Sequence, residues 1–276
     1  MAVCDVCPRG CNLKEGQTGF CRARMCENGV VRAVNYGKMT SMALDPIEKK
    51  PLYHFYPKSK ILSVGSFGCN LRCPFCQNYS ISTAGIGDVA YKEITPEELV
   101  RLALTLKNMP EGNLGVAFTY NEPLIGFEFV RDTAVLLKEN DLKSVLVTNG
   151  FVSLKRLEEI LPFIDAMNID LKGFSQSYYD YVGGKLEDVK RTIERAAKSC
   201  HVELTTLIVP TKNDNIADME SEAKWIASLS DEIPLHISRY FPCYQSAICA
   251  TPVETIYRLC EVAKKHLKYV YAGNCS

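Results

Sequence analysis

The sequence has no excess of charge of either sign: 32 acidic side chains face 32 basic ones over 276 residues. A balanced chain exerts no general pull on nucleic acid or on an anionic membrane, so neither is expected as a partner. Long apolar runs are also missing. None approaches the roughly 18 to 20 residues needed to span a bilayer. The first residues lack a basic n-region and an apolar h-region and carry Cys4, Cys7 and Cys11 instead, which does not read as a signal peptide. A cytoplasmic location is the expectation. There is no low-complexity tract, and Lys49-Lys50 and Lys264-Lys265 read as ordinary solvated surface. With 47% hydrophobic residues, the chain can bury one large core, or one core and a small appendage.

Cysteine, by contrast, is abundant. Thirteen are present, an odd number, clustered and without a secretion signal, which argues against a disulfide framework. In a reducing compartment clustered thiols hold metal. Cys4, Cys7, Cys11 and Cys21 form one group, and Cys69, Cys73 and Cys76 a tighter one.

Residues 1–45 combine the first group with glycines and show no helical period. Such a segment is too short to bury its own core and needs a metal, the main domain, or both. In the second unit, 46–276, β-rich runs alternate with amphipathic ones. Strands are expected at 61–67, 114–120, 143–148, 166–171, 202–209, 235–240 and 269–272, and helices at 96–107, 123–139, 154–161, 186–199, 217–229 and 252–266. Thr95-Pro96-Glu97-Glu98 is a helix start with Thr as N-cap, and Thr251-Pro252-Val253-Glu254 repeats the pattern. Six successive β/α units imply a parallel sheet, either open and doubly wound or a complete or partial barrel. In each of these the residues at strand carboxyl ends face the ligand.

Directly after the first of these strands comes Cys69-Asn70-Leu71-Arg72-Cys73-Pro74-Phe75-Cys76. Thiolates are the natural ligands of iron–sulfur clusters, and a cubane takes four. Spacings of three and two residues let one loop wrap three corners, leaving one iron open as a reaction site. A zinc knuckle or three reduced thiols is the plainer alternative. A zinc site wants a fourth ligand nearby, and no His or Cys lies between Cys76 and Cys200.

This motif, placed before a β/α array, resembles the radical S-adenosylmethionine superfamily over residues 60–272. Within it the chain resembles the pyruvate formate-lyase activating enzyme branch. More narrowly, its start, Cys4-Asp5-Val6-Cys7-Pro8-Arg9-Gly10-Cys11, is similar to that of the AmmeMemoRadiSam-type enzymes. The resemblance implies a partial (β/α)6 barrel whose three thiolates hold a [4Fe-4S] cluster. It also implies reductive cleavage of S-adenosylmethionine to a 5′-deoxyadenosyl radical, which takes hydrogen from a protein or small-molecule substrate. A low-potential donor of the flavodoxin or ferredoxin type would supply the electron. Glu122, in Thr119-Tyr120-Asn121-Glu122-Pro123, stands where the superfamily has a Gly-Gly-Glu-Pro-like turn and would accept from the methionyl ammonium; an acidic helix N-terminus is the plainer reading, and both can hold. Thr148 and Asn149 in Val147-Thr148-Asn149-Gly150, and Asp170 and Lys172 in Asp-Leu-Lys, would neighbour the cofactor. Val147 replaces the aspartate that helps hold a monovalent cation in the activating enzymes.

Three functions remain open at this level. The first is radical modification of a small molecule or protein. The second is activation of a glycyl-radical enzyme, which the run Ile61-Leu62-Ser63-Val64-Gly65-Ser66 disfavours because activases carry Asp-Gly-Pro-Gly there. The third is a non-enzymatic iron–sulfur or zinc module for redox sensing or interaction. The four N-terminal thiols could close a zinc site, saturate a second iron–sulfur cluster, or stay unligated. On the sixth strand, His236 is a candidate core histidine, and Arg239 a candidate partner for a carboxylate.

Overall fold

The computed structural model describes residues 1–275. Its main sheet is built from β1 (Ser41–Pro46), β2 (Lys60–Gly65), β3 (Gly115–Phe118), β4 (Lys143–Thr148), β5 (Ala166–Asp170), β6 (His201–Ile208), β7 (Leu235–Arg239) and β8 (Val270–Gly273). Strands β2 to β5 are buried along nearly their whole length, which is why they read as continuous apolar runs rather than alternating ones. The strands lie side by side in chain order. β2 to β8 are all parallel, with registers such as Leu62↔Val116 and Val145↔Ala166, and β1 runs antiparallel along β2. A doubly wound sheet reverses strand order at a switch point. This one never reverses, so it curls one way, and β1 and β8 remain as separate edges of a partial barrel.

Helices α1 (Pro96–Lys107), α2 (Phe127–Glu139), α3 (Leu154–Ile160), α4 (Gln176–Val182), α5 (Leu186–Ala196), α6 (Ile216–Leu229) and α7 (Val253–Ala263) fill the crossovers. Thr95 caps α1 reciprocally with Glu98: Glu98 N donates to Thr95 Oγ1 (3.2 Å) and Thr95 N to Glu98 Oε2 (2.8 Å). Thr251 does not repeat the device. Its hydroxyl donates to Ile208 O at 2.5 Å, tying the chain to β6, and α7 starts without a side-chain cap. The helix expected over 123–139 is divided. Pro123–Gly126 forms a 3-10 turn and α2 follows, because the Glu122 carboxylate takes Leu124 N and tightens the first turn.

The boundary expected between 45 and 46 falls inside β1, so the N-terminal segment ends as an edge of the main sheet. From β1 the chain passes beneath the barrel. Ile47, Leu52 and Phe55 pack on Ile61, Ala117, Val145 and Ala166 and plug its lower end. There His54 N donates to Glu203 Oε1 (2.7 Å), and the His54 ring meets the Tyr271 hydroxyl at 2.6 Å, bridging toward the β8 edge. Upstream, the pairs Ala2–Val3 with Asn12–Leu13 and Arg24–Glu27 with Val30–Ala33 lie against the opposite end. Arg24 grips Glu128 on α2 at 2.7 and 2.8 Å, Ser153 N donates to Val6 O at 3.0 Å, and Arg9 Nε donates to Asn70 O at 2.7 Å. No helix among the described residues is long and apolar enough to cross a membrane.

Candidate active site

β2 delivers the cysteine loop to the carboxyl end of the sheet. Gly68 makes the entry possible: its φ is +85°, and a Cβ there would sit 2.5 Å from Cys21 O. Phe75, buried against Tyr240 and Tyr181, anchors the loop between Cys73 and Cys76. Arg72 N donates to Val182 O at 2.9 Å, tying the loop to the end of α4.

Cys69, Cys73 and Cys76 line one cavity of about 310 Å³, together with Glu122, Thr148, Asn149, Asp170 and Lys172. Thus the carboxyl ends of β2, β3, β4 and β5 all contribute. All three cysteines are free, and no fourth cysteine lines the cavity. Three thiolates from one loop can take three corners of a cubane, so the donor set fits a four-iron cluster with one corner left to a ligand. Burial, with the Glu122 charge adding to it, pushes the Cys69 thiol well up, and burial carries Cys73 to about 11. Both are protonated until metal displaces the proton.

Glu122 is 3% exposed. Its Oε1 accepts from Thr148 Oγ1 (2.7 Å) and Leu124 N (2.9 Å), and its Oε2 from Asn149 N (2.8 Å). Capping and cavity lining therefore coexist in one carboxylate. Burial raises its pKa to about 7 despite these three donors. Asn149 Nδ2 donates to Asn70 Oδ1 (2.9 Å) and lies 3.6 Å from Cys69 Sγ. Lys172 Nζ pairs with Asp170 Oδ2 at 2.8 Å. Burial opposes the lysine's charge, but Asp170 outweighs it and holds its pKa well above the usual value.

Lys50 overturns the expectation of a solvated lysine pair. It is 3% exposed, lines the cavity, and donates to Asp45 Oδ2 at 2.9 Å, while Lys49 stays in solvent 3.2 Å from the other oxygen. Tyr120 completes the group, its hydroxyl 2.9 Å from Asp45 Oδ2 and its backbone held at φ +70°. That left-handed conformation is costly for a tyrosine. Lys50→Met is expected to cost about 2–3 kcal/mol, because Asp45 stays behind in a buried position. Lys49→Ala should cost less than about 0.5 kcal/mol. Denaturant unfolding compares them, and equal losses would place Lys50 in solvent. Sequence reading missed Lys50 because a carboxylate from another element keeps it inside.

Arg239 does not line the cavity; its Nε donates to Thr251 O at 2.6 Å and its guanidinium packs on Phe241. His236 is a buried histidine 2.7 Å from Glu203 Oε2, toward the plugged end.

Residues 63–226 match the model of the radical SAM superfamily. The uncharacterized protein MJ0808 of Methanocaldococcus jannaschii is 44% identical over 98% of this chain and 80% of its own length. The pyruvate formate-lyase-activating enzyme of Clostridium pasteurianum is 29% identical over 59% of this chain and 67% of its own. Streptococcus suis SuiB bound to S-adenosylmethionine superposes with a TM-score of 0.59 at 12% identity, covering 74% of this chain and 47% of SuiB, a likeness of fold alone. The chain belongs to the radical SAM superfamily, and that membership implies a [4Fe-4S] cluster and S-adenosylmethionine as its cofactors.

Proposed function

We propose that Cys69, Cys73 and Cys76 hold the catalytic [4Fe-4S] cluster, that S-adenosylmethionine binds across the polar strand ends, and that hydrogen is taken from a protein or small-molecule substrate. The supporting observation is that three free thiols and the strand-end residues Glu122, Thr148, Asn149, Asp170 and Lys172 share one cavity. When bound, the pair supplies one-electron cleavage of the sulfonium C–S bond and, through it, hydrogen-atom abstraction.

The chain's own residues bind and orient. A carboxylate has about four lone-pair directions. Three of those on Glu122 are taken by protein donors, which fixes the group and leaves one for the methionyl ammonium. Lys172, kept charged by Asp170, offers a cation to a carboxylate or to the cluster's own charge. The Asn149 amide can donate to the Cys69 sulfur once it is a thiolate. A flavodoxin- or ferredoxin-type donor is the proposed source of the electron. Activation of a glycyl-radical enzyme is the alternative reading, supported by similarity to activating enzymes and weakened because 61–66 carries no Asp-Gly-Pro-Gly run. The cysteine-rich start supports kinship with the AmmeMemoRadiSam-type enzymes. Anaerobically reconstituted and reduced protein should convert S-adenosylmethionine to 5′-deoxyadenosine and methionine. Reduced protein whose Cys69, Cys73 and Cys76 site is loaded with a cluster of about four irons, yet forms neither product, would overturn the proposal.

A further inference from the structure

We propose that Cys4, Cys7, Cys11 and Cys21 hold a second iron–sulfur cluster, beside the catalytic loop and distinct from it. Cys4 N donates to Cys11 O at 2.9 Å, extending the Ala2–Val3 and Asn12–Leu13 ladder, so these two residues face each other across a hairpin. Gly10 N donates to Cys7 O at 3.2 Å and turns the chain at Cys7. The following turn, closed by Arg22 N to Gly19 O at 2.9 Å, folds back on the hairpin: a Cβ built on Gly19 would lie 3.7 Å from Cys11 Sγ. It carries Cys21 back toward the hairpin. All four are free thiols, and Cys4 and Cys21 are buried.

A second observation points to an anionic ligand. The Arg24 side chain is 4% exposed, and its terminal nitrogens are occupied by Glu128, Ile125 O and Val31 O. Its Nε, also buried, has no hydrogen-bond partner in the structure, and the guanidinium lies beside the Cys4 thiol. A neutral thiol is a weak acceptor, whereas a metal-bound thiolate is a strong one for a charged donor. Arg9, packed 3.6 Å over the Phe20 ring, brings a second cation beside Cys7 and Cys11. The arrangement provides positive charge on two sides of a group of thiols.

Four thiolates can saturate a cubane or close a tetrahedral zinc site. Placement beside the catalytic cysteine loop favours the redox-active centre, which can hand on an electron as zinc cannot. Asn70 and Arg9 lie between elements of the two thiol groups, Arg9 Nε donating to Asn70 O at 2.7 Å. Asn70 follows Cys69 directly, its amide lies beside Cys7, and it accepts from Asn149, which reaches Cys69 Sγ. A cluster here would take one electron from a flavodoxin- or ferredoxin-type donor and pass that electron to the catalytic site, with no bond made or broken.

The full chain with Cys69, Cys73 and Cys76 changed to alanine isolates this site from the proposed catalytic one. After anaerobic reconstitution with ferrous iron and sulfide it should retain about four irons and four sulfides per chain. Dithionite reduction should then give a low-temperature EPR signal. One zinc with no sulfide, or folded protein free of metal, would overturn the proposal. Should that variant not fold, Cys4→Ser/Cys7→Ser in the otherwise natural chain decides: iron should fall from about eight to about four per chain. Iron at about four in both proteins would overturn it. The remaining EPR signal should shift on adding S-adenosylmethionine; failure of that shift alone counts against the catalytic assignment and not against the second cluster.

Discussion

Changing Cys69, Cys73 and Cys76 together to alanine is expected to abolish formation of 5′-deoxyadenosine and to remove about four irons per chain. The size of the effect follows from the cavity. No other cysteine lines it, and Cys243, held 3.8 Å from Cys76 O, belongs to a different loop. One substitute thiol cannot hold a cubane. Each single variant should therefore lose most of the activity as well. The fold should survive, because Phe75 against Tyr240 and the Arg72 N to Val182 O bond fix the loop without any cysteine side chain. Circular dichroism and a thermal melt check that condition, with the midpoint expected to move by no more than about 5 °C. Continued production of 5′-deoxyadenosine by the folded triple variant would place the catalytic cluster elsewhere.

The sheet was legible because burying both faces of a parallel strand demands apolar residues in succession, and β4, Lys143–Thr148, coincides with the expected run. The α1 start was legible because its cap is local: Thr95 and Glu98 satisfy each other. Thr251 carried the same four-residue signal, yet a carbonyl of β6 outcompeted the helix for its hydroxyl. Helix α4 escaped notice because its buried residues, Tyr178, Tyr179 and Val182, lie within a polar, tyrosine-rich run of seven. The edge strand β1 is half exposed and has no apolar period of its own. At the site, the cysteine spacing and the strand-end residues came from resemblance to a family, and the structure gathers them around one cavity. Lys50 had no such signal. Its place inside depends on Asp45 and Tyr120, and only the assembled fold brings the three together.

Replacing Glu122 by alanine is expected to weaken S-adenosylmethionine binding by about 2–3 kcal/mol, the scale of a lost charge-assisted contact. That corresponds to a rise in Kd of roughly 30- to 150-fold. The variant should also be less stable, because Leu124 N, Asn149 N and the Thr148 hydroxyl lose their shared acceptor. Affinity must therefore be measured by calorimetry on folded, cluster-loaded, unreduced protein. The pH dependence separates binding from capping. Burial raises the Glu122 pKa to about 7, so below that pH the empty site holds a neutral acid. An ammonium is bound by the carboxylate, and below about 7 the proton must first be displaced. Affinity should be full above pH 7 and fall by up to about tenfold per pH unit beneath it, since one pKa unit is about 1.4 kcal/mol. In Glu122→Ala this dependence should vanish, whereas a purely capping Glu122 would leave both the Kd at pH 8 and its pH profile unchanged on substitution.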